Sequence, residues 1–152
     1  MDRTTSRFAR VLRNVLLVLG VGLLSASIAR PDNKAKDRPF DGIWQTTLSC
    51  VNASGALGYS FKFPSSIKEG VLHGQKGTPH EAGWLVIDGP VAANGAADLY
   101  VDGLVGASAT AVGQRAAGTQ YGYHVSAQFT ADRGEGHRVE GRPCTVVFER
   151  ET

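Results

Sequence analysis

The chain has 152 residues, enough for one domain and too few for two comfortable ones. It carries 16 Lys and Arg against 14 Asp and Glu, but residues 1–29 hold four of the basic and one of the acidic residues, leaving 12 against 13 and a net charge of −1 elsewhere. A remainder with no basic excess has no phosphate footprint, which argues against nucleic-acid binding.

In residues 1–29, Arg3, Arg7, Arg10 and Arg13 precede an uncharged run over 15–29, VLLVLGVGLLSASIA. That run is shorter than the roughly 18 to 20 apolar residues a spanning helix needs. It ends in Ser27-Ile28-Ala29, with small residues where a signal peptidase reads. The layout predicts a secretory signal cleaved after Ala29; an uncleaved anchor is the alternative. A periplasmic or secreted location follows, with no membrane attachment after cleavage. Residues 30–39, RPDNKAKDRP, are charged and lack apolar periodicity, so they read as a solvated spacer.

The folded domain is expected over 40–152. Its texture is short alternating runs broken by turn pairs: Asp41-Gly42, Glu69-Gly70, Asp88-Gly89, Asn94-Gly95, Asp102-Gly103, Glu135-Gly136 and Glu140-Gly141. Such punctuation at short intervals marks an all-β sandwich or barrel.

The strands follow in order, each read by its two faces. The first, FDGIWQTTLSC over 40–50, puts Trp44, Thr46, Leu48 and Cys50 on one face. The second puts Tyr59, Phe61 and Phe63 against Ser60 and Lys62. A third covers 71–75. The fourth, 84–87, is apolar on both faces. The fifth, 97–104, sets Leu99 and Val101 against Asp98, Tyr100 and Asp102. A long stretch, 103–120, reads as a connection or a helical turn plugging one end rather than as a binding lid. The sixth alternates best, with Tyr121, Tyr123, Val125, Ala127 and Phe129 opposite His124 and Gln128. A weak seventh is expected over 137–141. The last puts Cys144, Val146 and Phe148 on one face. About eight strands joined mostly by short turns predict an antiparallel meander.

Both cysteines lie on apolar faces, one in the first strand and one in the last. In an exported chain, two such cysteines predict a disulfide. Its geometry needs Cα atoms within about 7 Å, so pairing Cys50 with Cys144 would bring the two ends of the meander together as a barrel.

Gly42-Ile43-Trp44 forms a G-x-W at the start of the first strand. In this the chain resembles the calycin barrels: lipocalins, fatty-acid-binding proteins, avidins and some bacterial protease inhibitors. The resemblance implies a calycin-like barrel, with Gly42 and Trp44 structural and Trp44 packed across the closed end. It also implies an arginine from a late strand over that ring: Arg138, Arg142 or Arg150. The stretches FDGIWQTTLSC, KEGVLHGQKGTP and EGRPCTVVFER also resemble a group of short exported bacterial proteins of uncharacterised function. Neither resemblance transfers ligand residues.

Chemistry-bearing patterns are sparse. His73, His80, His124 and His137 show no H-E-x-x-H and no zinc spacing, so no metal is expected. Asp98 and Asp102 would stand roughly 13 Å apart along a strand, too far for a glycosidase pair. Ser65, Ser66 and Ser108 sit in no nucleophile elbow. The expectation is a non-enzymatic binding module without catalytic residues or cofactors. A small apolar ligand would lie by Tyr59, Phe61, Tyr121 and Tyr123, while His124 and Gln128 face solvent. The alternative is a protein-interaction domain, such as a protease inhibitor or an envelope accessory protein.

Overall fold

The structure is a computed structural model that describes residues 38–152. The expected signal over 1–29 and residues 30–37 of the expected spacer lie outside the described residues.

The described residues form eight strands: β1 (Gly42–Cys50), β2 (Tyr59–Lys68), β3 (Val71–Lys76), β4 (Leu85–Pro90), β5 (Ala96–Leu104), β6 (Gln120–Phe129), β7 (Arg133–Arg138) and β8 (Cys144–Arg150). Each pairs antiparallel with the next, and β8 pairs with β1, so the meander closes into a barrel. Closure leaves no strand at the edge of the sheet. Along the β1–β8 seam Trp44 lies opposite Arg150, and Cys50 opposite Cys144. The two cysteines form a disulfide with Cα atoms 4.1 Å apart.

Inward faces follow the alternation of the sequence. Trp44, Thr46, Leu48 and Cys50 of β1 are buried, as are Tyr123, Val125, Ala127 and Phe129 of β6 and Cys144, Val146 and Phe148 of β8. His124 and Gln128 are exposed, as their strand faces require. In β4, apolar on both faces in sequence, Leu85 and Ile87 are the residues buried. Thr46 is the polar intruder on the inner face of β1. Its hydroxyl meets that of Ser65 at 2.7 Å, and Ser65 also donates to the Trp44 carbonyl, so neither is left unsatisfied.

The end of the barrel where β1 begins is solid. The fully buried Trp44 ring stands edge-on to Phe129 with centroids 5.4 Å apart, and its Nε1 donates to the Phe40 carbonyl at 3.0 Å. Phe129 packs in turn on Phe40 and Phe148. Of the three candidate arginines, Arg150 lies over Trp44, 5.4 Å from the ring centroid. Its guanidinium donates to the carbonyls of Pro39, Asp41 and Ala131, tying both chain ends of the barrel to the β6–β7 turn. Asp41 accepts from the backbone N–H groups of Glu69 and Gly70, at 2.8 and 2.9 Å. Both residues have positive φ, 55° and 73°. This is the two-residue hairpin geometry that favours glycine at its second position.

Three of the expected turn pairs fall within strands. Asp88-Gly89, Asp102-Gly103 and Glu135-Gly136 lie inside β4, β5 and β7. Their glycines mark close approach instead, a second use of glycine in strands. A Cβ on Gly136 would come within 2.8 Å of the Ala127 Cβ. The seventh strand is accordingly displaced from the expected 137–141 to Arg133–Arg138. Its inward positions include Gly134 and Gly136, so no apolar alternation announces it. The rings of Phe129 and Phe148 occupy the space that a Cβ on Gly134 would enter.

The stretch between β5 and β6 contains two short 3-10 helices, Ser108–Thr110 and Val112–Gln114. None of their residues is buried, and Ala107, Thr110, Ala111 and Val112 of this stretch line the site described below.

On the outer surface His124 contacts Glu140 at 2.7 Å. The hydrogen bond to Glu140 raises the His124 pKa above its ordinary value, and the same bond holds the Glu140 carboxyl below its own. The sign follows from linkage. A raised histidine pKa adds stability that is complete below the unfolded-state value and lost as pH rises through the folded one. The lowered Glu140 value loses its part as pH falls through it. An NMR titration should therefore place the His124 midpoint above about 6.5, and Glu140→Gln should return it towards that value.

Candidate functional site

An eight-stranded barrel is just wide enough either to be filled by side chains or to hold one small ligand. This barrel does both in turn. The aromatic cluster around Trp44 fills one half. The half where β1 ends and β6 begins contains a cavity of about 380 Å³. That is within the usual range of about 300 to 1,000 Å³ for small-molecule pockets.

Tyr59, Phe61, Tyr121 and Tyr123, picked out in the sequence as apolar-face aromatics, all line this cavity. β2 supplies the first pair and β6 the second, each as alternate residues of one strand face. Tyr59 and Phe61 stack with centroids 4.7 Å apart, and Tyr121 and Tyr123 stack at 6.1 Å. The two strands are not neighbours, so barrel closure is what sets the pairs around one space. Gly103 of β5 makes room for them: a Cβ there would come within 2.7 Å of the Tyr121 hydroxyl. The loop after β5 contributes Val105, Ala107, Thr110, Ala111 and Val112 to the wall.

The three tyrosines are held protonated. Burial raises the pKa of Tyr123, and the nearby phenols of Tyr59 and Tyr121 raise it further against the opposing pull of Arg138 and Arg142. Burial likewise raises Tyr121 and Tyr59. At neutral pH these hydroxyls are hydrogen-bond donors and acceptors, not phenolates. The Tyr123 hydroxyl is buried with no hydrogen-bond partner among the described residues.

Sequence reasoning missed the loop wall and the four cations of the lining, Lys76, Arg115, Arg138 and Arg142. Lys76 ends β3 and sits over the Phe61 ring, 4.3 Å from its centroid. Arg138 ends β7 and sits 4.0 Å from the centroid of Tyr123. Arg142 is buried and lies 5.1 Å from the centroid of Tyr59. It donates to the carbonyls of Val51, Leu57 and Thr110, binding three mouth segments together. Strand alternation could not have found these residues, because long cationic side chains read as solvent-facing wherever they occur.

The histidines and carboxylates weighed in the sequence lie elsewhere. His73 meets Asp88 on the outer face, at 2.5 Å, and His80 packs against Trp84. Asp102 accepts from the Gln120 side chain at 3.1 Å, and Asp98 is exposed. Among the described residues no group of three or more His, Cys, Asp or Glu could hold a metal ion. No helix among them is long and apolar enough to cross a membrane.

No family model, curated protein or solved structure matches the chain.

Proposed function

We propose that this is an exported barrel of the calycin type that binds a small, largely apolar molecule in the mouth of the barrel and catalyses no reaction. The observation that carries the reading is the convergence of Tyr59, Phe61, Tyr121 and Tyr123 on one cavity, in a barrel whose other half is packed around Trp44, Phe129 and Phe148. Small-molecule sites are concave and mostly apolar, with a few polar groups to set orientation. Protonated tyrosines suit that role better than proton abstraction. The tripartite residues 1–29, together with a disulfide, support export.

A thermal-shift screen of apolar and amphipathic compounds tests the reading. A ligand at 100 times its Kd should stabilise the protein by about 2.7 kcal/mol. Ala111→Trp, which narrows the cavity from its loop wall, should abolish the shift. Stabilisation that survives this substitution would place the ligand elsewhere, and no shift with any compound would remove the reading.

The second reading, a protein-interaction domain such as a protease inhibitor or envelope accessory protein, is favoured by one feature. Val51, Leu57 and Val112 are 57%, 58% and 43% exposed on segments around the mouth. If no compound binds and aspartate at these positions abolishes a partner interaction, that reading takes over.

A further inference from the structure

We propose that the cavity is selective for a small organic anion, an apolar or aromatic body with one carboxylate that lies against Arg138 and the Tyr123 hydroxyl, in the positive field of the other lining cations; this rests on the cavity being a ligand site. The charged residues of its lining are Lys76, Arg115, Arg138 and Arg142, with no Asp or Glu among them. Composition does not explain this, because residues 30–152 carry slightly more acid than base.

No ion pair among the described residues offsets this charge. Ion pairs among the described residues join Arg38 to Glu69, His73 to Asp88, His124 to Glu140, and Arg133 to Glu135 and Glu149. None involves a lining cation. The lining cations donate instead to backbone carbonyls: Lys76 to Gly83, Arg115 to Gln120, Arg138 to Glu140, and Arg142 to the three mouth segments. Carbonyls satisfy N–H groups but do not neutralise a positive charge. Aromatic faces under Lys76, Arg138 and Arg142 offset part of it. The acid nearest in character, Asp102, perturbs Tyr121 and is bonded to Gln120, outside the lining.

Donors remain for an anion. A lysine has three N–H groups and an arginine five. Among the described residues Lys76 and Arg138 each make one hydrogen bond, whereas Arg142 spends both ends of its guanidinium on the loops. The Tyr123 hydroxyl is the independent mark. Its residue is 2% exposed, its oxygen has no partner among the described residues, and it lies in the cavity wall beneath Arg138. Buried polar groups are nearly always bonded, and in the cavity wall this hydroxyl is open to a ligand atom. A carboxylate there would accept from Tyr123 and from Arg138, while its body stacked among the rings.

The test compares octanoate and naphthoate with their primary amides and the corresponding primary amines, by calorimetry on the disulfide-bonded protein. Hydrogen bonds to charged groups predict acids binding about 10- to 100-fold tighter than amides, with amines weakest. Arg138→Gln and Lys76→Gln should each narrow the acid-to-amide ratio, and Arg138→Lys, which keeps the charge, should restore most of it. Tyr123→Phe should weaken acid binding without lowering Tm, because the hydroxyl it removes has no partner to lose. Amides that bind as tightly as acids would overturn the anion inference and leave the binding site standing. If none of the six compounds bound and none of a wider apolar set shifted Tm, the site itself would fall.

Discussion

Trp44→Ala lowers stability by about 3 to 5 kcal/mol, the range for truncating a large core aromatic. Its side chain is fully buried and supports several contacts at once. Removing the indole leaves Phe129 without its edge-on partner and frees the Phe40 carbonyl. It also strips the ring from beneath Arg150, whose guanidinium holds Pro39, Asp41 and Ala131. Few groups nearby could collapse into the space, because the strands around it are fixed by closure. At roughly 4 °C per kcal/mol for a domain of this size, the melting temperature should fall by about 12 °C or more. Circular dichroism melts check this. Trp44→Phe, which keeps a ring but loses the N–H donor, should lie between the two. A loss under about 1 kcal/mol would mean that Trp44 does not organise the closed end, contrary to its burial.

Replacing both cysteines, as Cys50→Ala with Cys144→Ala, should cost about 4 kcal/mol. The bond closes a loop with a sequence separation of 94, near the long end of the scale on which cross-links restrict the unfolded chain. The effect should be uneven along the barrel. Cys50 and Cys144 sit at the mouth end of the β1–β8 seam, and Trp44 opposite Arg150 at the other. The adjoining bonds, Val51 N–H to the Pro143 carbonyl and Arg142 to the Val51 carbonyl, belong to the same corner. Hydrogen exchange in the double variant should therefore accelerate more at Ser49 to Val51 than at Trp44. Uniform acceleration along the seam would instead indicate that the bond acts only on the unfolded chain. Reduction of the native protein should reproduce the melting shift of the double variant.

Much of the barrel is readable without its structure, because strand faces are a local property. Alternation in β1, β2, β6 and β8 identifies the inward residues directly. Thr46 shows the limit of hydropathy within that rule: it is buried because its position on the strand demands it, and Ser65 then satisfies it. β7 shows where the rule stops. With Gly134 and Gly136 on its inner face it carries no apolar signal, since the Phe129 and Phe148 rings fill the space from other strands. The strand glycines at 89, 103 and 136 resemble turn glycines in sequence, and only the neighbouring strand shows that they mark close approach.

The sequence by itself determined the strand faces of β1, β2, β6 and β8, the cysteine positions and the aromatic pairs at 59 and 61 and at 121 and 123. These depend on neighbours two residues apart, which a period-two pattern encodes. Tertiary structure decided which half of the barrel is solid and which is open, and which arginine serves each end. Arg150 reaches Trp44 because the β1–β8 register sets them opposite, while Arg138 and Arg142 come to the other end beside Tyr123 and Tyr59. Lys76, Arg115, Arg138 and Arg142 come from separate segments and share one cavity only after closure. Alternation tells a side chain in from out; register and closure fix its height along the barrel, and height decides which charges meet.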